Sequence, residues 1–491
     1  MKRIFLALMA ALLVSTGMTA CGSEVPDAET APVSAAETET AAETKPAFVP
    51  EDFGGIDFMF FGVDPKSRQD WTVNTYSETI ADGETGEVIN DAIFKRNLTV
   101  EELYNISIKE MSTARENVGS EALKVILAGD DVYQVVNLSG GSAAALLNQP
   151  EALYDLHTIS TLDLTHDWWD ENSIETFTIG GKLYNVVGDM NMRCFFSSVV
   201  LMMNKHLIES HGLDSPFMLV REGKWTMDTM MSMAETVTND MNGDGKIGLD
   251  DTAGFFGESI TTHWGLNAMG VRTITNVDGS PRLTVNTEKA ISGMEKYVRL
   301  LRSGESAIFA SDISSQFAGE NIWYSRMMPM LMNNQLLFYN HYLGSSLDLR
   351  SMESDFGIIP LPKYDEAQET YYTATHPQYV SFMTIPVTNA EPERTGKIME
   401  AMNAYSTEYV VPAVYQTTLV GKVIRDEESE EMLDIIFANR VYDIGYLFNW
   451  GGLNGFFAGF ASKNSTDFAS AYAAIESKVQ ADINKYMEVN S

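Results

Sequence analysis

The sequence predicts an α/β fold built on a largely parallel sheet, and three observations predict it. Short apolar runs alternate with amphipathic helical stretches between residues 56 and 138. About 440 residues follow Pro50, which points to two domains or one very large one. Hydrophobic residues make up 45% of the chain, enough for a substantial core.

The first element is removable. Met1-Lys2-Arg3, an apolar run from Ile4 to Val14 and small residues before Cys21 describe a secretory signal peptide over residues 1–20. It is too short to remain as a membrane span. Cys21, between Ala20 and Gly22, resembles the bacterial lipobox, which implies a diacylglyceryl-modified cysteine at the mature N-terminus. Two acyl chains suffice for stable anchoring to the cell membrane. Residues 21–50 read as a disordered acidic tether: six carboxylates against Lys45, with hardly an aliphatic side chain larger than valine, bury too little apolar surface to order the chain.

The alternation then runs through Ile56–Val63 as a strand, Asn90–Leu103 as a helix, Ile106–Lys109 as a strand, Ser120–Leu127 as a helix and Val132–Leu138 as a strand. Gly140 and Gly141 directly after the last of these open a crevice at the carboxyl end of the sheet, where such sheets place ligands. No lysine follows, and neither the Walker nor the dinucleotide spacing is present. Ile179–Val187 reads as a hairpin, Cys194–Asn204 as a strand leading into a helix, and Glu222–Thr238 as a helix capped by Thr226. Met227, Met230, Met231 and Met233 on that helix are expected to pack, as is Trp225. Trp168 and Trp169 read as a surface helix start.

Several segments resemble, in order, the bacterial extracellular solute-binding proteins of the sugar-binding class. They are Asn90–Ile106, Val200–Leu213 (VLMMNKHLIESHGL) with Gly223–Thr226 (GKWT), Asp355–Lys363 (DFGIIPLPK) and Ser381–Pro386 (SFMTIP). That resemblance implies a two-lobed periplasmic-binding-protein-like fold of type II, its lobes joined by crossing strands at a hinge. It implies a first lobe of residues 50–195 plus 378–412, a second of 196–377 plus 413–491, and delivery of a ligand to the permease subunits of an ABC importer. It implies a receptor and no catalysis.

Residues 240–251 match the calcium loop of an EF-hand. Asp240, Asn242 and Asp244 stand at positions one, three and five, Gly245 at the sharp turn, Lys246 at the carbonyl position, Gly248 at the water position and Asp251 at twelve. Aspartate replaces the usual bidentate glutamate at that last position, so weak structural calcium is the expectation, with an ion-free Asx-Gly turn as the alternative. No cofactor for chemistry is expected.

Composition narrows the partners. The formal net charge is −35, from 68 acidic and 33 basic residues, which argues against a nucleic-acid partner. Beyond Cys21 the only cysteine is Cys194, so no second thiol is left for a disulfide. No HExxH, GxSxG or marked carboxylate pair occurs among the seven histidines and many acids. A saccharide offers apolar C–H faces and hydroxyl edges, so aromatic platforms beside amide and carboxylate groups are its natural site. The candidates where strands end in loops are Trp71, Asp189, Asn191, Trp264, Trp323 (with Tyr324), Tyr379, Asn449 and Trp450, with His376 near a crossing segment. Trp450, flanked by Asn449, Gly451 and Gly452, is the first choice among them. The expectation is a monomeric, lipid-anchored receptor closing on an oligosaccharide, against a surface glycoside hydrolase or a surface module that only holds carbohydrate.

Overall fold

Phe58, Phe60 and Phe61 have almost no solvent exposure, and the strand that carries them, β1 (Ile56–Val63), sits at the centre of the first sheet. The computed structural model describes residues 48–67, 77–415 and 427–490. The signal peptide, Cys21, most of the tether and Trp71 lie outside the described residues. Strand β1 pairs in parallel with β2 (Ile106–Thr113) and with β3 (Val135–Ser139). Helix α1 (Val88–Tyr104) precedes β2 and ends on Asn105 in the left-handed conformation, φ 45°. Helix α2 (Val118–Ala128) precedes β3 and ends on Gly129, φ 81°. The strand-helix-strand order read from the sequence is therefore the order of the first lobe.

The chain leaves this lobe through residues 185–198 and enters a second, five-stranded sheet. Its members are β4 (Val199–Asn204), β5 (Ala253–Gly257), β8 (Ala307–Phe309), β9 (Leu336–Tyr342) and β10 (Phe356–Ile359), after a small hairpin of β6 (Ile274–Val277) and β7 (Ser280–Leu283). The order is β10-β4-β9-β5-β8, with β5 parallel to β8 and β9, and β4 antiparallel to β9 and β10. Strand β4 is buried at all six positions, as its unbroken apolar run requires. Helix α3 (Met227–Val237) is capped by Thr226, whose hydroxyl accepts the Thr229 amide at 3.3 Å, and its four methionines are buried. Trp225 is fully buried, its indole N–H donating to Pro360 O at 3.0 Å. Helices α4 (Ser259–Ala268) and α5 (Glu288–Arg302) flank the sheet.

The chain returns through β11 (Thr373–Ala374), and β12 (Ser381–Thr384) adds antiparallel to β3, completing the first sheet in the order β12-β3-β1-β2. Helix α6 (Pro392–Tyr405) packs on α1. Helix α7 (Glu427–Ala438) lies on β10, and β13 (Arg440–Val441) pairs with β11. Helix α8 (Phe456–Lys463) packs on α4 and α5 in the second lobe. Helix α9 (Phe468–Asn490) reaches the first: Asn490 donates to Ile179 O at 2.7 Å and accepts the Tyr184 hydroxyl at 2.7 Å. The C-terminal part thus touches both lobes.

A buried polar network holds the crossings. The Glu78 carboxylate accepts from the Arg193 amide at 2.7 Å, the Ser381 hydroxyl at 2.9 Å and Asn137 Nδ2 at 3.0 Å. Asp170 pairs with Arg440 at 2.7 Å and accepts the Tyr442 hydroxyl at 3.1 Å. Trp168 and Trp169 correct the surface reading: both are buried, and both indole N–H groups donate to the Glu400 carboxylate, at 2.8 and 3.2 Å. Two acidic residues beside a Trp pair look like a solvated helix start, but the carboxylate that satisfies them comes from residue 400. The Ile179–Val187 hairpin is a tight turn closed by Ile179 and Lys182, after which Val186 pairs with Met383.

Candidate functional site

The carboxyl ends of the two sheets and the second crossing bring a cluster of aromatic rings together between the lobes. Glu258 follows β5, and its backbone N–H donates to Thr261 Oγ1 at 3.1 Å at the start of α4. That start sets Trp264 facing the crossing, where its ring lies 5.2 Å from His376 and 6.3 Å, edge on, from His341. The end of β9 contributes His341 and Tyr342, with Tyr339 stacked on His341 at 5.4 Å. Trp323 lies 4.5 Å from His341. Tyr379 lies 4.4 Å from His376 and 5.1 Å from Tyr342. From the first lobe Arg115, just past β2, places its guanidinium 4.5 Å from the centre of the Tyr379 ring. Gly140 lets the loop after β3 lie against the second crossing: a Cβ there would stand 2.1 Å from Pro377 O.

Burial sets the electrostatics. Desolvation pushes His341 down to about 3 and His263 to about 4, and holds His376 well below its ordinary range, so all three imidazoles are neutral at pH 7. Desolvation raises the Glu258 carboxyl to about 8, so it is mostly protonated at pH 7. Tyr446, whose ring lies 4.8 Å from His263, is also raised by burial. Trp264 Nε1 and Arg115 Nε and Nη1 are buried without a hydrogen-bond partner. Buried polar atoms are normally paired, so these three are available to a further partner. Flat apolar faces, neutral imidazoles and hydroxyls suit a polyhydroxylated ligand; the groups are arranged to bind and to orient.

Of the residues expected from sequence, Trp264, Trp323 and Tyr379 meet here, with His376. Tyr324 stands next to Trp323 in the chain, its hydroxyl donating to Asp348 at 3.0 Å. Asp189 and Asn191 lie beneath, in the hinge: Asp189 Oδ2 accepts the Thr407 hydroxyl at 2.7 Å, and Asn191 Nδ2 donates to Asn137 at 2.9 Å. Desolvation raises the buried Asp189 carboxyl to about 6. Asn449 takes the left-handed conformation, φ 54°, and accepts the Asn454 amide at 3.2 Å. Trp450 is away from the aromatic cluster and 3% exposed. Its indole N–H donates to Asn148 at 2.7 Å and its ring packs on Phe448 and Tyr486. The flanking glycines do form a loop, but α9 covers it; Gly451 approaches Val479 so closely that a Cβ would stand 2.3 Å from it. Arg115, Glu258, His341 and Tyr342 were missed, although Arg115 and Glu258 obey the same rule of residues following a strand end.

In the 240–251 loop, Asp240 accepts the amides of Gly243 at 2.7 Å and Gly245 at 2.8 Å. Asp244 accepts that of Lys246, and Asp251 those of Met241 at 2.9 Å and Gly248 at 2.8 Å. Among the described residues no three histidine, cysteine or acidic side chains converge as a metal cluster. Among the same residues no helix is long and apolar enough to cross a membrane.

No family model matches the chain, and no curated protein matches it in sequence. Solved structures match it in fold. A Listeria monocytogenes ABC substrate-binding protein in complex with cycloalternan is 13% identical, with 88% of this chain and 99% of that one covered and a TM-score of 0.55. A sugar transporter protein of Rhizobium etli in an open conformation is 14% identical over 87% and 99%, TM-score 0.57. The protein UgpB of Mycobacterium tuberculosis, in complex with glycerophosphocholine, is 17% identical over 88% and 99%, TM-score 0.56. The chain therefore has the two-lobed fold of the ABC substrate-binding proteins.

Proposed function

We propose that this chain is the extracytoplasmic binding receptor of an ABC importer, taking an oligosaccharide between its lobes and handing it to permease subunits. The aromatic cluster built by Trp264, Trp323, His341, His376 and Tyr379 carries the reading, because rings from both sides of the second crossing converge in it and the buried Trp264 Nε1 has no hydrogen-bond partner. Relatives in fold hold cycloalternan and other saccharides at the level of their solved complexes. A ligand touching both lobes stabilises the closed state by its differential affinity for it, and no bond is made or broken. Lipidated Cys21 holds the receptor at the membrane, the acidic tether gives it reach, and weak calcium at Asp240, Asn242, Asp244, Lys246 and Asp251 stiffens a peripheral loop.

The test is a thermal-shift panel of neutral and acidic oligosaccharides with product analysis and small-angle scattering. A stabilised, more compact protein with intact ligand is the expected outcome. Released shorter sugars would instead establish a hydrolase. Cys21→Ser is expected to free the protein from membranes without altering affinity in solution.

A further inference from the structure

Arg115 is 8% exposed, yet no carboxylate among the described residues pairs with it, and its Nε and Nη1 have no hydrogen-bond partner. An arginine buried in a folded chain normally meets an anion, because desolvating a guanidinium without compensation is costly. Here its visible company is the face of Tyr379 at 4.5 Å and the loop of Gly141, where a Cβ would stand 3.5 Å from Nε. This stands out in a protein of net charge −35, where carboxylates outnumber cations two to one. Near the same rings His263, His341 and His376 are neutral at pH 7 and the Glu258 carboxyl is mostly protonated, while Asp348 is engaged by the Tyr324 hydroxyl at 3.0 Å.

We propose that the cleft selects an acidic oligosaccharide, and that the planar guanidinium of Arg115 receives an anionic substituent of one sugar ring while neighbouring rings stack on the aromatics. The geometry favours a carboxylate or sulfate ester, which guanidinium meets through two parallel N–H···O bonds with Nε and Nη. This rests on the receptor reading given above and narrows its ligand class. Arg115 is a specificity-determining residue in this scheme, and its unpaired state in the free protein is the cost of that role.

The experiment uses the full mature chain and matched trisaccharide probes. These are uronate trisaccharides (galacturonate, glucuronate and mannuronate series), their methyl esters, sulfated neutral trisaccharides, and maltotriose, each followed by thermal shift and calorimetry. The expected result is binding of at least one acidic probe and weaker binding of its neutral ester. Arg115→Gln should weaken the acidic probe about 10- to 100-fold, the range of a hydrogen bond to a charged group, and weaken neutral probes by less than that. Arg115→Lys, which keeps the charge and loses the fork, should fall between and guards against a folding defect in the glutamine variant. Neither variant should lower the melting temperature of the free protein. A uronate-specific response assigns a carboxylate, and a sulfate-specific one assigns a sulfate ester; both support the proposal. Equal binding of acidic and neutral probes, unaffected by Arg115→Gln, overturns it and leaves the receptor reading standing. No binding of any saccharide overturns both.

Discussion

The Asp170–Arg440 pair joins the first lobe to the segment that runs alongside the second crossing, and removing its charge should cost the protein about 3–5 kcal/mol. Both side chains are nearly solvent-free, 2% and 6% exposed, and the nitrogen–oxygen distance is 2.7 Å. Two unit charges about 4 Å apart at an effective dielectric constant near 20 attract by about 4 kcal/mol. Arg440 forms no second ion pair among the described residues: its Nε and Nη1 have no hydrogen-bond partner, and the Phe195 ring lies at 4.8 Å. Asp170 also caps a helix by accepting the Ser173 amide at 2.9 Å. Asp170→Asn keeps an equally good cap and removes the charge, so it isolates the ion pair, whereas Asp170→Ala should cost about 1 kcal/mol more. In Asp170→Asn/Arg440→Met the guanidinium is gone too, so the double variant should be less destabilised than the sum of the singles by about 2 kcal/mol. Urea unfolding followed by tryptophan fluorescence measures all four proteins. A loss under about 1 kcal/mol for Asp170→Asn, or singles that add, would refute the argument that this pair is uncompensated.

The raised carboxyl of Glu258 has a defined pH signature. Its folded value of about 8 exceeds the ordinary 4.5, so its penalty is absent below about pH 4.5 and grows as pH rises toward 8. Glu258→Gln should therefore gain on wild type progressively over that window; parallel stability curves would contradict it. The depressed histidines act oppositely, with stability lost as pH falls below about 6.5, so His341→Gln should flatten the acid limb of the stability profile. Trp450→Ala should lose about 3–5 kcal/mol as a core truncation. Trp323→Ala should leave stability nearly intact and weaken saccharide binding about tenfold or more; the reverse pattern in calorimetry and melting would return the site to Trp450. Calcium at millimolar concentration should raise the melting temperature of wild type and not that of Asp244→Ala, and an unmoved wild type removes the ion from the loop.

The parts of this fold legible in the sequence are those written in local pattern. β1, β2, β3, α1 and α2 announce themselves by period, and the Thr226 cap by residue type, because each depends on neighbours within a few positions. The pairing of β12 with β3, and the Glu400 carboxylate beneath Trp168 and Trp169, bridge more than 200 residues, and no local pattern encodes them. The site divided the same way. Trp264, Trp323 and Tyr379, chosen for their places after strands, come together in the aromatic cluster. Trp450, chosen on the same ground, lies apart from them, because α9, some 30 residues on, packs over its loop.

Those long-range bonds also constrain how the lobes can move. The first and second crossing segments have polar groups fastened to the first lobe: Arg193 N and the Ser381 hydroxyl to Glu78, Asn191 to Asn137. A closing motion that bent the chain inside this network would leave buried amides and a carboxylate unpaired at about 1–3 kcal/mol each, comparable to the whole free energy of a modest ligand preference. The flexible positions must therefore lie outside it. Ser197 and Ser198 on the first crossing and Thr375 to Pro377 on the second meet that condition, since Ser198 pairs with Thr375 and the His376 amide donates to Ser197 O at 2.6 Å. They pair as one short two-stranded ribbon, which places His376 in the aromatic cluster. A ligand that contacts His376 thus touches the hinge itself, and replacing Ser198 with proline, which removes the amide that donates to Phe195 O at 3.2 Å and fixes φ, should reduce ligand-induced compaction in scattering while leaving both lobes folded.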